Sequence, residues 1–81
     1  MKDDPEEVFM ARVATRLAGW RELRGLSVNQ LAGKAGVTHT TVYRLESGEH
    51  RNIQVRTLYR LCRALDVTLV EFSLTNEATQ R

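Results

Sequence analysis

The stretch from residue 28 to residue 48, VNQLAGKAGVTHTTVYRLESG, constrains the fold of this chain more than any other segment. Ala32 is followed by Gly36 and then by Val42, and the apolar positions around them are filled by Leu31, Val37 and Leu45. A small residue lets two helices approach closely, and a glycine can adopt the left-handed conformation that closes a turn. The spacing therefore predicts two short helices that cross at a tight turn.

The outward face of the second of these helices carries hydrogen-bonding side chains and no carboxylate: Thr38, His39, Thr40, Tyr43 and Arg44. Side chains of this kind can pair with the edges of bases in the major groove. The pattern is that of a helix-turn-helix, and it predicts a protein that binds specific DNA sequences.

The distribution of charge agrees with a polyanionic partner. Residues 1–10 carry a formal charge of −3, residues 11–63 carry +7, and residues 64–81 carry −2, although the net charge of the chain is only +2. A basic central region favours contact with phosphates. On charge alone, a solvated helical surface is an equally good interpretation.

Length and composition indicate one domain over residues 1–81, with a core from about residue 7 to residue 74 and flexible ends. A single cysteine cannot form an internal disulfide, and no apolar run approaches the length of a membrane span. The first ten residues are acidic, unlike a signal peptide. We therefore expect a cytoplasmic protein that does not associate with membranes.

Apolar periodicity and capping residues predict an all-α fold of five helices. The first runs from about Glu6 or Glu7 to Arg24, and the fourth from about Gln54 to Leu65. We expect the fourth to bury Val55, Leu58, Leu61, Cys62 and Leu65.

Capping residues mark the starts of the other three helices. Ser27 with Gln30 predicts a capping box for the second helix, and Thr38 caps the third. Thr68 with Glu71 predicts a second capping box, which opens a short fifth helix through about Leu74.

From Leu17 to Phe72 the chain resembles the lambda-repressor-like, Xre-type helix-turn-helix domains. The matching positions are Trp20-Arg21, Gly25-Leu26-Ser27, Leu31-Ala32, Gly36-Val37-Thr38, Arg44-Leu45-Glu46-Ser47-Gly48, Thr57-Leu58 and Ala64-Leu65-Asp66-Val67. The resemblance implies the compact five-helix fold of that family. It also places Arg21 and Glu46 face to face, which implies a structural salt bridge.

The chain departs from the family pattern at two places. Val28 stands where the family usually has a glutamine that touches a phosphate and braces the third helix. The loop after Gly48 is one residue longer than the common form, so the family's basic phosphate-binding position corresponds to His50 or Arg51, of which we favour Arg51.

Candidate DNA contacts fall into two groups. We expect base contacts from His39, Thr40, Tyr43 and Arg44, of which Arg44 is the strongest candidate because a guanidinium can bond both acceptors of a guanine. Each of them could instead bind a phosphate. We expect phosphate contacts from Thr38, Ser47, Arg51, Asn52 and Arg56, and the alternative for this group is a solvated polar loop.

The end of the chain carries more apolar surface than a small core can bury from one side. Leu69, Val70, Phe72 and Leu74 are therefore predicted to form a dimer interface. The competing arrangement folds all four back on the first helix, where Val8 and Phe9 also need cover.

The function predicted from these features is a transcriptional regulator that binds a pseudo-palindromic operator as a homodimer. Its size resembles that of restriction-modification controller proteins; an antitoxin that binds a toxin and a small phage-type repressor are the alternatives. The expected partners are double-stranded DNA and a second copy of the chain, with RNA polymerase as a further candidate.

An enzyme, a cofactor and a metal site are not expected, because His39, His50 and Cys62 fit no zinc pattern and Cys62 falls on an apolar helix face.

Overall fold

The computed structural model describes residues 5–49 and 52–72, and within these ranges the chain is all-helical, as predicted. The helices are α1 (Pro5–Leu23), α2 (Val28–Ala35), α3 (His39–Ser47) and α4 (Val55–Leu65). Residues 69–72 form a further helical segment, α5. The predicted end of this helix near Leu74 lies outside the described residues.

The predicted capping residues locate the helix starts correctly. Ser27 and Gln30 form a reciprocal capping box at α2, in which the Gln30 amide donates to Ser27 Oγ (3.0 Å) and the Ser27 amide donates to Gln30 Oε1 (2.8 Å). Thr68 and Glu71 form the same arrangement at α5, with distances of 2.9 and 3.0 Å. At α3, Thr38 Oγ1 accepts the amide of Thr41 at 3.2 Å. Each cap satisfies amides that the first helical turn leaves without a partner.

The turn between α2 and α3 is closed by Gly36. Its backbone is left-handed (φ 75°, ψ 32°), and its amide donates to the carbonyl oxygen of Ala32 at 2.9 Å. A glycine adopts this conformation without the steric cost that a Cβ atom imposes. The turn predicted from the spacing of Ala32, Gly36 and Val42 is therefore present.

All the helices contribute side chains to one core. α2 packs against α3 and α4, and α1 packs against α3. The buried side chains at the centre are Val13, Leu17, Leu31, Ala32, Ala35, Val42, Leu45, Leu61, Cys62, Leu65, Val67 and Phe72. α3 is thereby held on its inner side by two helices, which leaves its other side to solvent.

The prediction that Val55 is buried was wrong. Its side chain is 75% exposed, whereas Leu61, Cys62 and Leu65 of the same helix are buried and Leu58 is partly buried. Val55 occupies the first turn of α4, which extends beyond the core, so the apolar spacing continues where no neighbouring helix covers it.

None of the helices in the described part of the chain has both the length and the apolar character that crossing a bilayer requires.

Candidate nucleic-acid interface

The four predicted base-contact residues share one exposed face of α3. His39, Thr40, Tyr43 and Arg44 are all exposed, while Val42 and Leu45 on the opposite side are buried. At 3.6 residues per turn the four side chains span an arc of about 140°. The core thus fixes the orientation of α3 and presents these four residues together.

Glu46, the only acid of α3, lies at the His39 edge of this face near the end of the helix, where it is partly buried and paired. Arg21 Nε donates to Glu46 Oε2 at 2.6 Å, and Arg21 Nη2 donates to Oε1 at 3.0 Å. The two side chains are 15% and 12% exposed. Arg21 Nη1 also donates to the carbonyl oxygen of Leu26 at 2.8 Å. The structure therefore contains the ion pair implied by the family resemblance, and it joins the end of α1 to α3.

The ion pair has an electrostatic consequence for both partners. The hydrogen bond to Glu46 raises the pKa of Arg21, against the opposing effect of burial. Because the carboxylate of Glu46 is neutralised by a guanidinium, its charge does not weaken the attraction of the α3 face for an anion.

The predicted phosphate contacts lie at the two ends of α3 and at the start of α4. Thr38 and Ser47 are exposed, yet both hydroxyls already serve the helix: Thr38 Oγ1 caps it, and Ser47 Oγ donates to the carbonyl oxygen of Arg44 at 3.1 Å. Asn52 precedes α4, Arg56 lies in its first turn, and both are exposed. Arg51 and the alternative His50 lie outside the described residues.

Val28 has a structural role in place of the glutamine that the family pattern predicts. It is partly buried and packs against the core at the start of α2. The side chain of a valine offers no hydrogen bond to a phosphate, so the side chain at this position contributes to packing.

Arg24 was not singled out from the sequence, although it connects two helix ends. Its Nε donates to the carbonyl oxygen of Leu65 at 2.7 Å, and Nη2 donates to that of Asp66 at 3.4 Å. Its guanidinium also lies 5.0 Å from the ring centroid of Trp20, one helical turn earlier. The four-residue spacing of Trp20 and Arg24 would have been the signal for a stacked pair, but nothing local pointed to the carbonyl oxygens at the end of α4.

The predicted dimer residues separate into three groups. Leu69 and Val70 are exposed. Phe72 is only 3% exposed and belongs to the core of its own chain, so it does not present a surface to a partner. Leu74 lies outside the described residues. Val8 and Phe9 on α1 also remain exposed, so the competing arrangement, in which all four residues fold back and cover α1, does not describe Leu69 and Val70.

Cys62 is a core residue. It is 2% exposed, and burial raises the pKa of its thiol to about 11. A neutral buried thiol is neither a good nucleophile nor a ready metal ligand. Within residues 5–49 and 52–72, no cluster of histidine, cysteine and acidic side chains could hold a metal ion.

An exposed polar helix that is packed through a tight turn onto a second helix is the arrangement of a helix-turn-helix domain. Comparison with known families agrees. The chain belongs to the helix-turn-helix family HTH_3, whose sequence pattern matches residues 17–72, more than two thirds of its length.

Known relatives include transcription regulators. The HTH-type transcriptional regulator SlrR of Bacillus subtilis (strain 168) is 36% identical over 52 residues, which cover 64% of this chain and 34% of that protein. The chain therefore spans about a third of the length of this curated relative.

Two crystal structures share the fold. An HTH_3 family transcriptional regulator from Vibrio cholerae superposes with a TM-score of 0.79 at 25% identity, covering 93% of this chain and 40% of that chain. A tyrosine-to-phenylalanine mutant of the restriction-modification controller protein C.Esp1396I superposes with a TM-score of 0.76 at 22% identity, covering 89% of this chain and 92% of that chain.

Proposed function

We propose that this protein regulates transcription by binding a specific DNA sequence through α3. The observation that carries the proposal is the outward face of this helix. It exposes His39, Thr40, Tyr43 and Arg44, while the helix's only acid is neutralised by Arg21. An Arg side chain can read a guanine, and the flanking polar side chains can contact bases or phosphates.

The backbone contacts we propose surround this face. Thr38 and Ser47 mark the two ends of α3, and Asn52 and Arg56 follow it in the chain. Arg51, by its position in the sequence between Ser47 and Asn52, completes this set. Contacts of this kind would set the register of α3 in the major groove and make the affinity dependent on salt.

We further propose that two copies bind a pseudo-palindromic operator. One α3 makes few base contacts, and a second copy multiplies the affinity by holding the other helix close to its half-site. Half-site centres are then expected about 34 Å apart, which is one turn of DNA.

Selection of bound sequences from a random duplex pool tests the proposal. The expected product is one enriched motif with two-fold symmetry and a spacing of about one helical turn between half-sites. A matched selection with Arg44→Ala should lose enrichment at one position of each half-site. Recovery of random sequences by the wild-type chain would contradict sequence-specific binding.

The narrower role we propose to test first is that of a restriction-modification controller. The supporting observation is that the similarity of fold covers 92% of the controller protein's chain as well as most of this one. Transcription in vitro from a promoter that carries the selected operator should rise or fall when the protein is added. An increase in transcription indicates activation, for which we expect contact with RNA polymerase. A decrease indicates repression.

A further inference from the structure

A pocket of about 290 Å³ lies between α4 and the start of α5. Its lining residues are Tyr59, Cys62 and Arg63 of α4 and, from the segment that follows, Val67, Thr68 and Leu69. Cys62 and Val67 are buried, whereas the other four are exposed, so the pocket opens at the surface. An open apolar pocket beside a helix can receive one apolar side chain of a partner, as the anchor residues of protein interfaces require.

The exposed side of α4 next to this pocket is basic. Arg56, Arg60 and Arg63 are all exposed, and α4 contains no acidic residue. At 3.6 residues per turn the three arginines lie within an arc of about 60°. Within residues 5–49 and 52–72 the ion pairs are both made by Arg21, so no carboxylate in this part of the chain pairs with the row.

Two of these arginines lie beyond the proposed DNA interface. Arg56 is in the first turn of α4, the end that follows α3 in the chain, and is assigned above to a phosphate. Arg60 and Arg63 lie about 6 and 10.5 Å further along the helix axis. The far end of α4 is the one that Arg24 of α1 contacts through the carbonyl oxygen of Leu65. The row therefore leads from the DNA side of α4 to the pocket.

The combination of a pocket and a basic row favours a protein segment over a nucleic acid. Arginines alone would suit phosphates as well as carboxylates. Duplex DNA, however, presents phosphates and sugars on its outside, and it has no apolar side chain that could enter a pocket lined by Cys62, Val67 and Leu69. The side chain of Tyr59 is 50% exposed at the pocket, and tyrosine and arginine are the residues most enriched at the centres of protein interfaces.

We propose that the α4 surface, formed by Tyr59, Arg60, Arg63 and the pocket, binds an acidic segment of a partner protein. A large apolar side chain of that segment enters the pocket, and carboxylates beside it accept hydrogen bonds from the guanidinium groups of Arg60 and Arg63. Burial of apolar area provides the attraction, and the arginines set the orientation and exclude basic partners. This inference goes beyond the proposed function and does not rest on DNA binding by α3.

Selection from a library of random peptides displayed on phage tests the proposal, with the full chain as the target. Duplex DNA is present in excess to occupy α3, and phage that bind the Arg60→Gln/Arg63→Gln variant are removed first. The expected product is one motif in which a large apolar residue lies within about four residues of an aspartate or glutamate, the spacing of one helical turn. No enrichment, or an enriched motif without carboxylates, would overturn the proposal.

Fluorescence anisotropy of the enriched peptide then measures the contacts. Arg60→Gln and Arg63→Gln should each raise the peptide Kd about three- to tenfold. Replacing the peptide's carboxylate with an amide should weaken binding to the wild-type chain by a similar factor. It should have little further effect on the arginine variant that has lost the same contact, because an interaction can be lost only once.

Arg12→Gln is the matched control, since Arg12 is an exposed arginine of α1 that does not line the pocket. This variant should leave the peptide Kd unchanged. An equal loss of peptide binding in Arg12→Gln would show a general attraction between opposite charges and would overturn the assigned surface.

Two further measurements on the Arg60→Gln/Arg63→Gln variant distinguish other occupants of the α4 surface. Its operator affinity and its dimer Kd should both stay close to the wild-type values. A salt slope for DNA binding that falls by about two units would assign both arginines to phosphates, and a raised dimer Kd would assign them to a second copy. Either result overturns the proposal. Failure of the wild-type chain to bind any operator would overturn the proposed function and leave this inference standing.

Discussion

We expect Arg44 to contact a base and Arg51 to contact a phosphate, so their alanine variants should weaken DNA binding in different ways. Arg44→Ala should weaken operator binding by about 1–3 kcal/mol per half-site and leave binding to random DNA nearly intact, because a base contact is lost. Arg51→Ala should weaken both equally and reduce the salt slope by about one unit, because a phosphate contact is lost.

Fluorescence anisotropy on operator and random duplexes at several salt concentrations distinguishes these outcomes. The ratio of the two affinities reports base contacts, and the slope against salt reports phosphate contacts. Equal losses on both DNAs for Arg44→Ala would make Arg44 a phosphate contact and leave His39, Thr40 and Tyr43 as the base readers.

Glu46→Gln should destabilise the fold, because it leaves Arg21 partly buried without its counter-ion. We expect a loss of about 1–3 kcal/mol, less than for a completely buried pair since both side chains retain some exposure. For a domain of this size each kcal/mol corresponds to a Tm shift of about 4–8 °C.

Thermal unfolding followed by circular dichroism measures this effect, and Glu22→Gln is the control. Glu22 lies 3.9 Å from Arg21, but its side chain is mostly exposed, so its loss should have little effect. An unchanged Tm and unchanged DNA affinity for Glu46→Gln would show that the ion pair does not hold α3 in place.

At the scale of the element, the turn between α2 and α3 depends on one backbone conformation. Gly36→Ala should destabilise the protein by about 1–2 kcal/mol, because an L-residue at φ 75° is strained. Gly33→Ala should instead stabilise it by about 0.5–1 kcal/mol, because Gly33 lies within α2. A Cβ atom at either position meets no atom within 4 Å, so crowding does not contribute to the difference.

Urea unfolding of the two variants gives the comparison directly. If the free energy of unfolding changes with the same sign in both variants, Gly36 does not stabilise the protein through the left-handed turn. DNA affinity should follow stability for Gly36→Ala and stay constant for Gly33→Ala, because the latter leaves the angle between α2 and α3 unchanged.

At the scale of the whole molecule, we expect the dimer to depend on the exposed residues of α5. Val70→Asp should sediment as a folded monomer at micromolar concentration, since it places a charge in an apolar contact. Leu23→Asp is the matched control, because Leu23 and Val70 are each 64% exposed and Leu23 lies at the end of α1. A folded Val70→Asp variant that remains dimeric would place the interface elsewhere.

We expect substitution of Phe72 to affect the stability of the fold, whereas substitution of Val70 should affect the dimer. Because it is buried in its own chain, Phe72→Ala should cost about 3–5 kcal/mol of stability through the cavity that it leaves. Any loss of dimer in that variant would therefore follow from unfolding, and it would not identify the interface.

Local sequence determined the helices and their ends, because their causes are local. A hydroxyl three residues before a glutamine or a glutamate favours the caps at Ser27 and Thr68, and all the groups in each cap lie within four residues. The glycine spacing likewise determined the turn at Gly36, and the order of polar and apolar residues in α3 determined which of its faces is exposed.

Only the tertiary structure decided which apolar residues are covered and which polar atoms meet. Val55 fits the apolar spacing of α4 but lies beyond the neighbouring helices, and Phe72 fits an interface but fills the core. The hydrogen bond from Arg24 to the carbonyl of Leu65 joins residues 41 positions apart. Burial and long-range hydrogen bonds depend on where distant segments come to rest, and no local pattern contains that information.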